Sequence, residues 1–482
     1  MLNIKLLIIS LFSIGCFVSC GKTETKQDKK NVLFITIDDM TATSVSAYNP
    51  KGAKTPNIDK LASEGTMFNQ AYCQFPVCGP SRASLMFGYY PHATKTFGYT
   101  SGRENVGDRQ SLAQLFKDNG YYTARVSKIF HMGIPIDIEN GSNGADDSLS
   151  WNERYNCKAP EWQLEGEAEL VQGNPDGKIE RKGGNVMTIV KGSGSDLENA
   201  DKQAADKACE LIKTHKDKPF FLALGLVRPH VPWVAPARYF EGYDFNNIEL
   251  PEKVEGDWDD IPKRGINYVT SVNGQMSIEQ QKKAVAAYYS TVAFVDDMLG
   301  QVIQSLKDEG LYDNTIIVLT SDHGFHLGEH DFWMKVSLHE ESVKVPFIIK
   351  APGKKPVKCN SLVELIDIYP TIAELAGLEY SPNIQGKSLT PTFDDADANI
   401  HDFIFSVSLG GTSFLIEDKD WAYIQYGEDA AQGMELFDMN KDPKQFTNLA
   451  ENPDFADILA KYQQKLKDKL KEVRDNDLNS DM

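Results

Sequence analysis

Positive charge is scarce in this chain. Its 482 residues carry 50 Lys and Arg against 69 Asp and Glu, a net charge of −19. Nucleic acid needs a basic face, so this balance argues against it as a partner. A small anionic substrate needs only a local site built from a few converging Lys, Arg and His residues. Cysteine is also sparse, seven in all. Five follow Cys20: Cys73, Cys78, Cys157, Cys209 and Cys359. Their odd number leaves at least one unpaired, and their spacing gives neither a disulfide nor a zinc framework. No internal repeat is visible. The signature of bulk disorder is missing as well, since 41% of residues are hydrophobic and 25% charged. That composition supports a globular core larger than one typical domain.

Long apolar runs are few. The one from Leu6 to Phe17 is too short for a membrane span, and Lys5 before it suits a signal peptide. Ser19-Cys20 resembles the end of a bacterial lipobox, with Phe17 in place of the usual branched aliphatic residue. Lipid on Cys20 would attach the protein to a membrane; the alternative is ordinary cleavage into the periplasm. The expected organisation is a leader over 1–20, a polar tether over 21–30, a catalytic domain over 31–395 and a C-terminal subdomain over 396–482. The expected location is the periplasm or the outer membrane of a Gram-negative bacterium.

Apolar strand-like runs alternate with helical patterns, which predicts an α/β fold with helices on both faces of a sheet. The clearest helix runs from Ile278 to about Glu309, with a capping-box pattern at Ser277 and Gln280. A second is expected from Asn199 to His215, with Cys209 as an inert core thiol. Four runs end in polar residues. Val32–Ile37 precedes Asp38-Asp39, and Thr123–Val126 precedes Ser127-Lys128. Phe220–Val227 precedes Arg228-Pro229-His230, and Thr315–Thr320 precedes Ser321-Asp322-His323. Ligands bind at the carboxyl ends of strands in open α/β sheets, so four such junctions suggest one shared site. Residues Glu139 to Asp196 read as an insertion rimming that site, with a hairpin over Lys178–Ile189. Ser381 to Asp397 reads as a linker. Beyond it, Phe403–Val407, Ser413–Ile416 and Trp421–Gln425 read as antiparallel strands and Pro453–Val473 as a helix.

The strongest local signal is Cys78-Gly79-Pro80-Ser81-Arg82. Cys-x-Pro-Ser-Arg resembles the signature of the sulfatases, in which the cysteine is oxidised to formylglycine by a maturation enzyme. The resemblance extends from Asn31 to about Gly377 and is greatest to the iduronate-2-sulfatase group. Ser127-Lys128-Ile129-Phe130-His131, Arg228-Pro229-His230-Val231-Pro232, Thr320 to His330 and Leu362 to Gly377 carry it. It implies an alkaline-phosphatase-like central mixed sheet flanked by helices, with a smaller C-terminal α+β subdomain. Phe87 and Tyr89 depart from the pattern, which usually has Thr or Ser before Gly88 and a basic residue after it.

Adjacent carboxylates repel, so burying Asp38 beside Asp39 calls for a cation. Together with Asp322 they offer hard oxygens, which favour calcium or magnesium over zinc. The resemblance adds His323 and the modified Cys78 as further ligands, with calcium as the ion. It also places Lys128 and Lys335 on the sulfate oxygens and Arg82 on the modified residue and its metal. It gives His131 the role of base, His230 that of acid to the leaving alcohol, and His92 a substrate-facing position. His326 and His330 fall nearby, where local packing accounts for them equally well. The implied reaction uses the hydrated aldehyde at Cys78 as nucleophile on a sulfated carbohydrate. Two alternatives stay open: a phosphonate or phosphate monoester hydrolase of the same superfamily, and an inactive glycan-binding lipoprotein.

Overall fold

Asn31–Ile37 is an unbroken apolar run, and every residue of it is buried. Such runs mark strands covered on both faces. In the computed structural model, which describes residues 29–172 and 186–478, this run is β1 at the heart of an eight-stranded sheet. The other strands of the sheet are β2 (Thr66–Tyr72), β3 (Tyr122–Ser127), β4 (Glu153–Tyr155), β5 (Phe220–Leu226), β6 (Thr315–Ser321), β7 (Phe347–Lys350) and β8 (Val357–Glu364). Their order is β8-β2-β7-β6-β1-β5-β3-β4. Only β7 runs against its neighbours. The leader, Cys20 and the tether as far as residue 28 lie outside the described residues, as does most of the hairpin expected over 178–189. No described helix is long and apolar enough to cross a membrane.

Alternate side chains of a strand face opposite ways. Leu33, Ile35 and Ile37 accordingly join one core, with helices α2 (Ala200–Thr214) and α3 (Ile278–Asp308). Val32 and Phe34 join a second core on the other face, with Leu85 and Met86 of helix α1 (Cys78–Phe87). Helix α3 begins with the expected reciprocal Ser277–Gln280 box, worth about 0.5–2 kcal/mol. Cys209 lies on α2 but is only half-buried, its thiol on Gln301 O at 3.7 Å.

The C-terminal residues form an antiparallel sheet of β9 (Ile404–Ser408), β10 (Ser413–Glu417), β11 (Trp421–Tyr426) and β12 (Met434–Asp438). One face, through Ile404, Leu415, Ile424 and Phe437, belongs to the main body's second core. The other face packs Phe405, Phe414 and Ile416 on Tyr462, Leu466 and Val473 of helix α4 (Ala456–Arg474). The stretch expected as a linker is itself packed down, with Leu389 and Phe393 buried in the same core. The described residues of 139–196 also carry regular structure. Glu153–Tyr155 pairs with β3 as an edge strand, and Gly166–Leu170 and Thr188–Gly192 form a small sheet with Trp233–Pro236.

The four predicted strand ends are contiguous, because β6, β1, β5 and β3 are parallel neighbours. Ile37 lies level with Leu226 and Ser321, so Asp38, Val227 and Asp322 leave the sheet at one edge. Lys128 reaches this edge by crossing over β5. Ser127 turns with φ 61°, and a Cβ on Gly225 would lie 1.9 Å from Lys128 O. Gly225→Ala should therefore destabilise the protein by about 1–3 kcal/mol or more and lower activity by shifting Lys128. Denaturant midpoints and turnover measured on the same preparation check this.

Candidate active site

Asp38 and Asp39 sit at the end of β1, fully buried. Asp39 has a left-handed backbone, φ 62°, which Asp tolerates better than most residues. Its turn is held on several sides. Asp39 N donates to Asp322 Oδ1 at 3.2 Å, Met40 N to Ser321 Oγ at 2.9 Å and Thr41 N to Tyr288 OH at 2.9 Å. The Tyr288 hydroxyl in turn donates to Asp39 O at 2.5 Å.

Helix α1 points its first residue at this pair. Cys78 Sγ lies 3.2 Å from His323 Nε2, 3.3 Å from Lys335 Nζ and 3.8 Å from Asp39 Oδ1. One turn on, Arg82 divides its donors. Nε reaches Asp322 Oδ2 at 2.8 Å and one terminal nitrogen reaches Asp38 Oδ1 at 3.0 Å. The other terminal nitrogen reaches the carbonyls of Lys128 at 2.7 Å and Ile129 at 3.0 Å. Lys128 Nζ donates to Asp38 Oδ2 at 2.5 Å. Lys335 Nζ spans both oxygens of Asp39 at 2.6 and 2.9 Å.

This concentration of buried charge is not explained by stability. Replacing buried ion pairs by apolar side chains is often neutral or stabilising, by about 1–4 kcal/mol. The charges instead set protonation. Burial alone would push Asp38 up, yet the charged Lys128, Arg82 and Lys335 hold its carboxyl well below the usual range. For Asp39 burial wins over Lys335 and His323, Asp38 and Asp322 add to it, and the carboxyl is raised. Burial also pushes the Cys78 thiol well up, with Asp38 adding to the rise against Lys128 and Lys335. A thiol held protonated is neither a nucleophile nor a metal ligand.

His230 approaches from the β5 loop, its Nε2 3.7 Å from Asp39 Oδ2 and its Nδ1 on Val231 O at 2.5 Å. Its mounting lies in the supposed rim. Arg228 pairs with buried Glu161 and donates to His230 O at 3.0 Å. Asp201 of α2 accepts from the Val227 and Arg228 amides. Burial, Lys335 and Lys128 hold the His230 imidazole neutral. Burial and then Lys128 bring His131 down to about 2, and its Nδ1 has no partner. His323 directs Nδ1 to Gly324 O at 2.9 Å, which leaves Nε2 facing Asp39 Oδ1 at 3.3 Å.

The donor set fits a hard cation. Asp38, Asp39 and Asp322 supply buried oxygens, and His323 Nε2 lies 3.3 Å from Asp39 Oδ1 and 3.7 Å from Asp322 Oδ2. Asp39 stays raised despite Lys335, so the resident cations leave room for more positive charge. A second cluster, Glu364, Asp367 and His401, is a structural tie. Its oxygens already accept from Phe405 N, Glu364 N, Lys387 N and His401.

The structure thus brings Asp38, Asp39, Cys78, Arg82, Lys128, His230, Asp322, His323 and Lys335 together, with His131 in electrostatic reach. His92 belongs elsewhere. Its ring packs against Phe97, Phe405 and Phe414, and its Nε2 meets Gly411 O at 3.1 Å. These contacts tie it to the aromatic underside of the C-terminal sheet. His326 packs on Phe332, and His330 meets Asp257 at 3.0 Å. The departures are absorbed locally: Phe87 packs on Phe130 under Arg103, and Tyr89 is buried. Sequence reasoning missed two exposed aromatics. Tyr99, 57% exposed, stacks on His131 at 4.5 Å. Tyr268, 44% exposed, reaches Met334 Sδ at 3.4 Å, next to Lys335.

Comparison with known proteins agrees with this geometry. The sulfatase family model matches residues 30–378, and a model of the N-sulphoglucosamine sulphohydrolase C-terminal region matches 328–475. A sulfatase of Formosa agariphila is 32% identical over 91% of this chain and 87% of its own. Human iduronate 2-sulfatase is 32% identical over 74% of this chain and 70% of its own. Among solved structures, a phosphonate monoester hydrolase from Silicibacter pomeroyi shares the fold, with a TM-score of 0.76 and 23% identity over 91% of this chain and 95% of that one. Another, in complex with its substrate D-glucosamine-2-N,6-O-disulfate, has a TM-score of 0.69 and 23% identity over 93% of this chain and 99% of that one. With a family model spanning most of its length and relatives of this identity, the chain belongs to the sulfatases, hydrolases of sulfuric esters.

Proposed function

We propose that the protein removes sulfate from sulfated carbohydrate, using formylglycine made from Cys78 and a calcium ion held by Asp38, Asp39, Asp322 and His323. One observation carries this reading: the buried Cys78 side chain ends 3.8 Å from Asp39 Oδ1, 3.3 Å from Lys335 Nζ and 3.2 Å from His323 Nε2. Sulfur here stands in for an oxygen, which would suit both a hard cation and nucleophilic attack. Formylglycine at position 78 would supply, when hydrated, the hydroxyl nucleophile, and a calcium ion held by Asp38, Asp39, Asp322 and His323 would supply stabilisation of negative charge on oxygen. The fold neighbour bound to a disulfated glucosamine and the likeness to iduronate 2-sulfatase support a sugar sulfate as substrate.

The chain's own residues do the rest. Lys128 and Lys335 neutralise charge on the sulfate oxygens, and fixed charges of this kind are often the largest catalytic contribution. A sulfate settling between them offsets the ammonium groups that keep His230 neutral. His230 then takes up a proton and gives it to the leaving alcohol. His131, neutral beside Lys128, accepts a proton. Arg82 fixes Asp38 and Asp322 throughout. The fold likeness to a phosphonate monoester hydrolase supports a second reading, action on phosphonate or phosphate monoesters.

The deciding experiment pairs mass spectrometry with an ester panel. Active protein should contain a lighter, hydrazide-reactive residue at position 78, and activity should rise with its fraction. The matured enzyme should cleave 4-nitrophenyl sulfate and sugar sulfates faster than 4-nitrophenyl phosphate or phenylphosphonate esters. Fully active protein with only unmodified cysteine at 78 would sink the proposal, and a preference for phosphorus esters would select the second reading. Chelation should abolish turnover and calcium should restore it best; recovery with zinc alone would contradict the oxygen-rich donor set. His230→Ala should slow sugar sulfates by about 10²–10⁴-fold but slow aryl sulfates with acidic leaving groups far less. Equal losses on both would remove His230 from the acid role.

A further inference from the structure

Lys335 sits on an unusual piece of backbone. Met334 and Val336 on either side both have positive φ, 69° and 92°. For a β-branched residue such as Val336 this is a strained conformation, found where surrounding structure forces it. Two segments do so here. Ser408 Oγ of the C-terminal sheet donates to Val336 O at 2.5 Å. The loop before α3 grips the other side, with Trp333 N on Val269 O at 3.0 Å and Asn267 Nδ2 on Trp333 O at 2.8 Å.

Between that loop and the Val336–Ser337 turn is a cleft of about 150 Å³, lined by Lys263, Arg264, Tyr268, Val336 and Ser408. Lys263 and Arg264 are both exposed. Neither forms an ion pair or side-chain hydrogen bond among the described residues. Most other Lys and Arg side chains near the active site are engaged with carboxylates. In a chain of net charge −19, two adjacent cations left free beside the reaction centre are conspicuous. The loop holding them is seated closely: a Cβ on Gly265 would lie 2.5 Å from Tyr426 OH and 2.7 Å from Glu435 Oε1. Glu435 beneath is occupied by Tyr426 at 2.6 Å and His339 at 3.0 Å, and so does not neutralise the pair. Tyr268 lines the cleft and its hydroxyl meets Met334 Sδ at 3.4 Å, one residue from Lys335, and both Tyr268 and Tyr99 lie within electrostatic reach of Lys335 and Cys78.

We propose that this cleft is a subsite for a second anionic group, a sulfate or carboxylate on a neighbouring sugar of the substrate. Lys263 and Arg264 bind the anion, and the rings of Tyr268 and Tyr99 flank the sugar between the two charges. The proposal deepens the sulfatase reading and rests on it. It makes the preferred substrate an oligosaccharide of at least two charges, recognised away from the ester being cleaved.

Binding and turnover are measured separately, so that failure of one is not mistaken for failure of the other. In a Cys78→Ala background, calorimetry with a heparan-sulfate tetrasaccharide should show binding weakened about tenfold by Lys263→Gln with Arg264→Gln. In matured enzyme the same pair should lower kcat/KM for the tetrasaccharide similarly and leave 4-nitrophenyl sulfate within about twofold. Lys263→Arg with Arg264→Lys should keep binding, and unchanged unfolding midpoints in both pairs show that the loop is intact. A tetrasaccharide with its carboxylates reduced to alcohols tells which anion is bound: retained sensitivity to the Gln pair assigns sulfate, lost sensitivity assigns carboxylate. Unchanged tetrasaccharide binding, or equal losses on tetrasaccharide and aryl sulfate, would overturn the subsite. Wild-type matured enzyme inert on every sulfate ester would overturn the sulfatase reading, while the calorimetry would still report on the cleft.

Discussion

The guanidinium of Arg82 is the constraint on which the site depends. It is buried with Asp38 and Asp322, and it also takes the carbonyls that follow β3. One planar group therefore fixes the ends of β1, β3 and β6 relative to the start of α1. Guanidinium stays charged at any physiological pH and offers a rigid fork of donors, which an ammonium does not. Removing one partner of such a buried arrangement typically costs about 3–5 kcal/mol, because the other charge is stranded. The active-site geometry is thus enforced by electrostatics that are costly to break, although they add little net stability when intact.

That enforcement lets neighbouring groups of one kind differ. Asp38 and Asp39 are adjacent in sequence and equally buried, yet one carboxyl is lowered and the other raised. The difference comes from which cations pair with each: Lys128 and Arg82 with Asp38, Lys335 with Asp39, which also lies beside the carboxylates of Asp38 and Asp322. Pushing like groups apart in this way is how a protein assigns separate tasks to them. The histidines show the converse. Burial, reinforced by Lys128 and Lys335, keeps His131 and His230 uncharged, so both are ready to accept protons when an anion changes the local balance.

Much of this was legible in the sequence, for identifiable reasons. The central strands are covered on both faces, so they read as continuous apolar runs. Polar residues immediately after them could then be placed at one edge. Helix α3 carried a capping box and a regular stripe. What escaped had no local signature. Strand Met434–Asp438 is interrupted by Glu435, whose burial makes sense only once His339 and Tyr426 are brought beside it. Glu161 falls in a stretch without periodicity, and its partner Arg228 is far along the chain. Nothing in the sequence of helix α3 marks Tyr288, whose hydroxyl ties the Asp39 turn. Tyr99 and Tyr268 lie in irregular loops that only the fold carries to the rim. The three phenylalanines around His92 are likewise brought together only by the fold.

Helix α1 has no solvent-facing side: all its residues from Cys78 to Phe87 are buried. Such a helix serves as a wall of the reaction chamber but cannot be presented to another macromolecule without dismantling the core around it. A Cβ on Gly79 would already meet Gly98 O at 2.4 Å, so no second protein chain can thread between them. Any enzyme that alters the side chain at position 78 must therefore meet this segment before it is enclosed. The order of events, alteration and then folding, would be irreversible in practice: a chain that folds early keeps its thiol for as long as it stays folded.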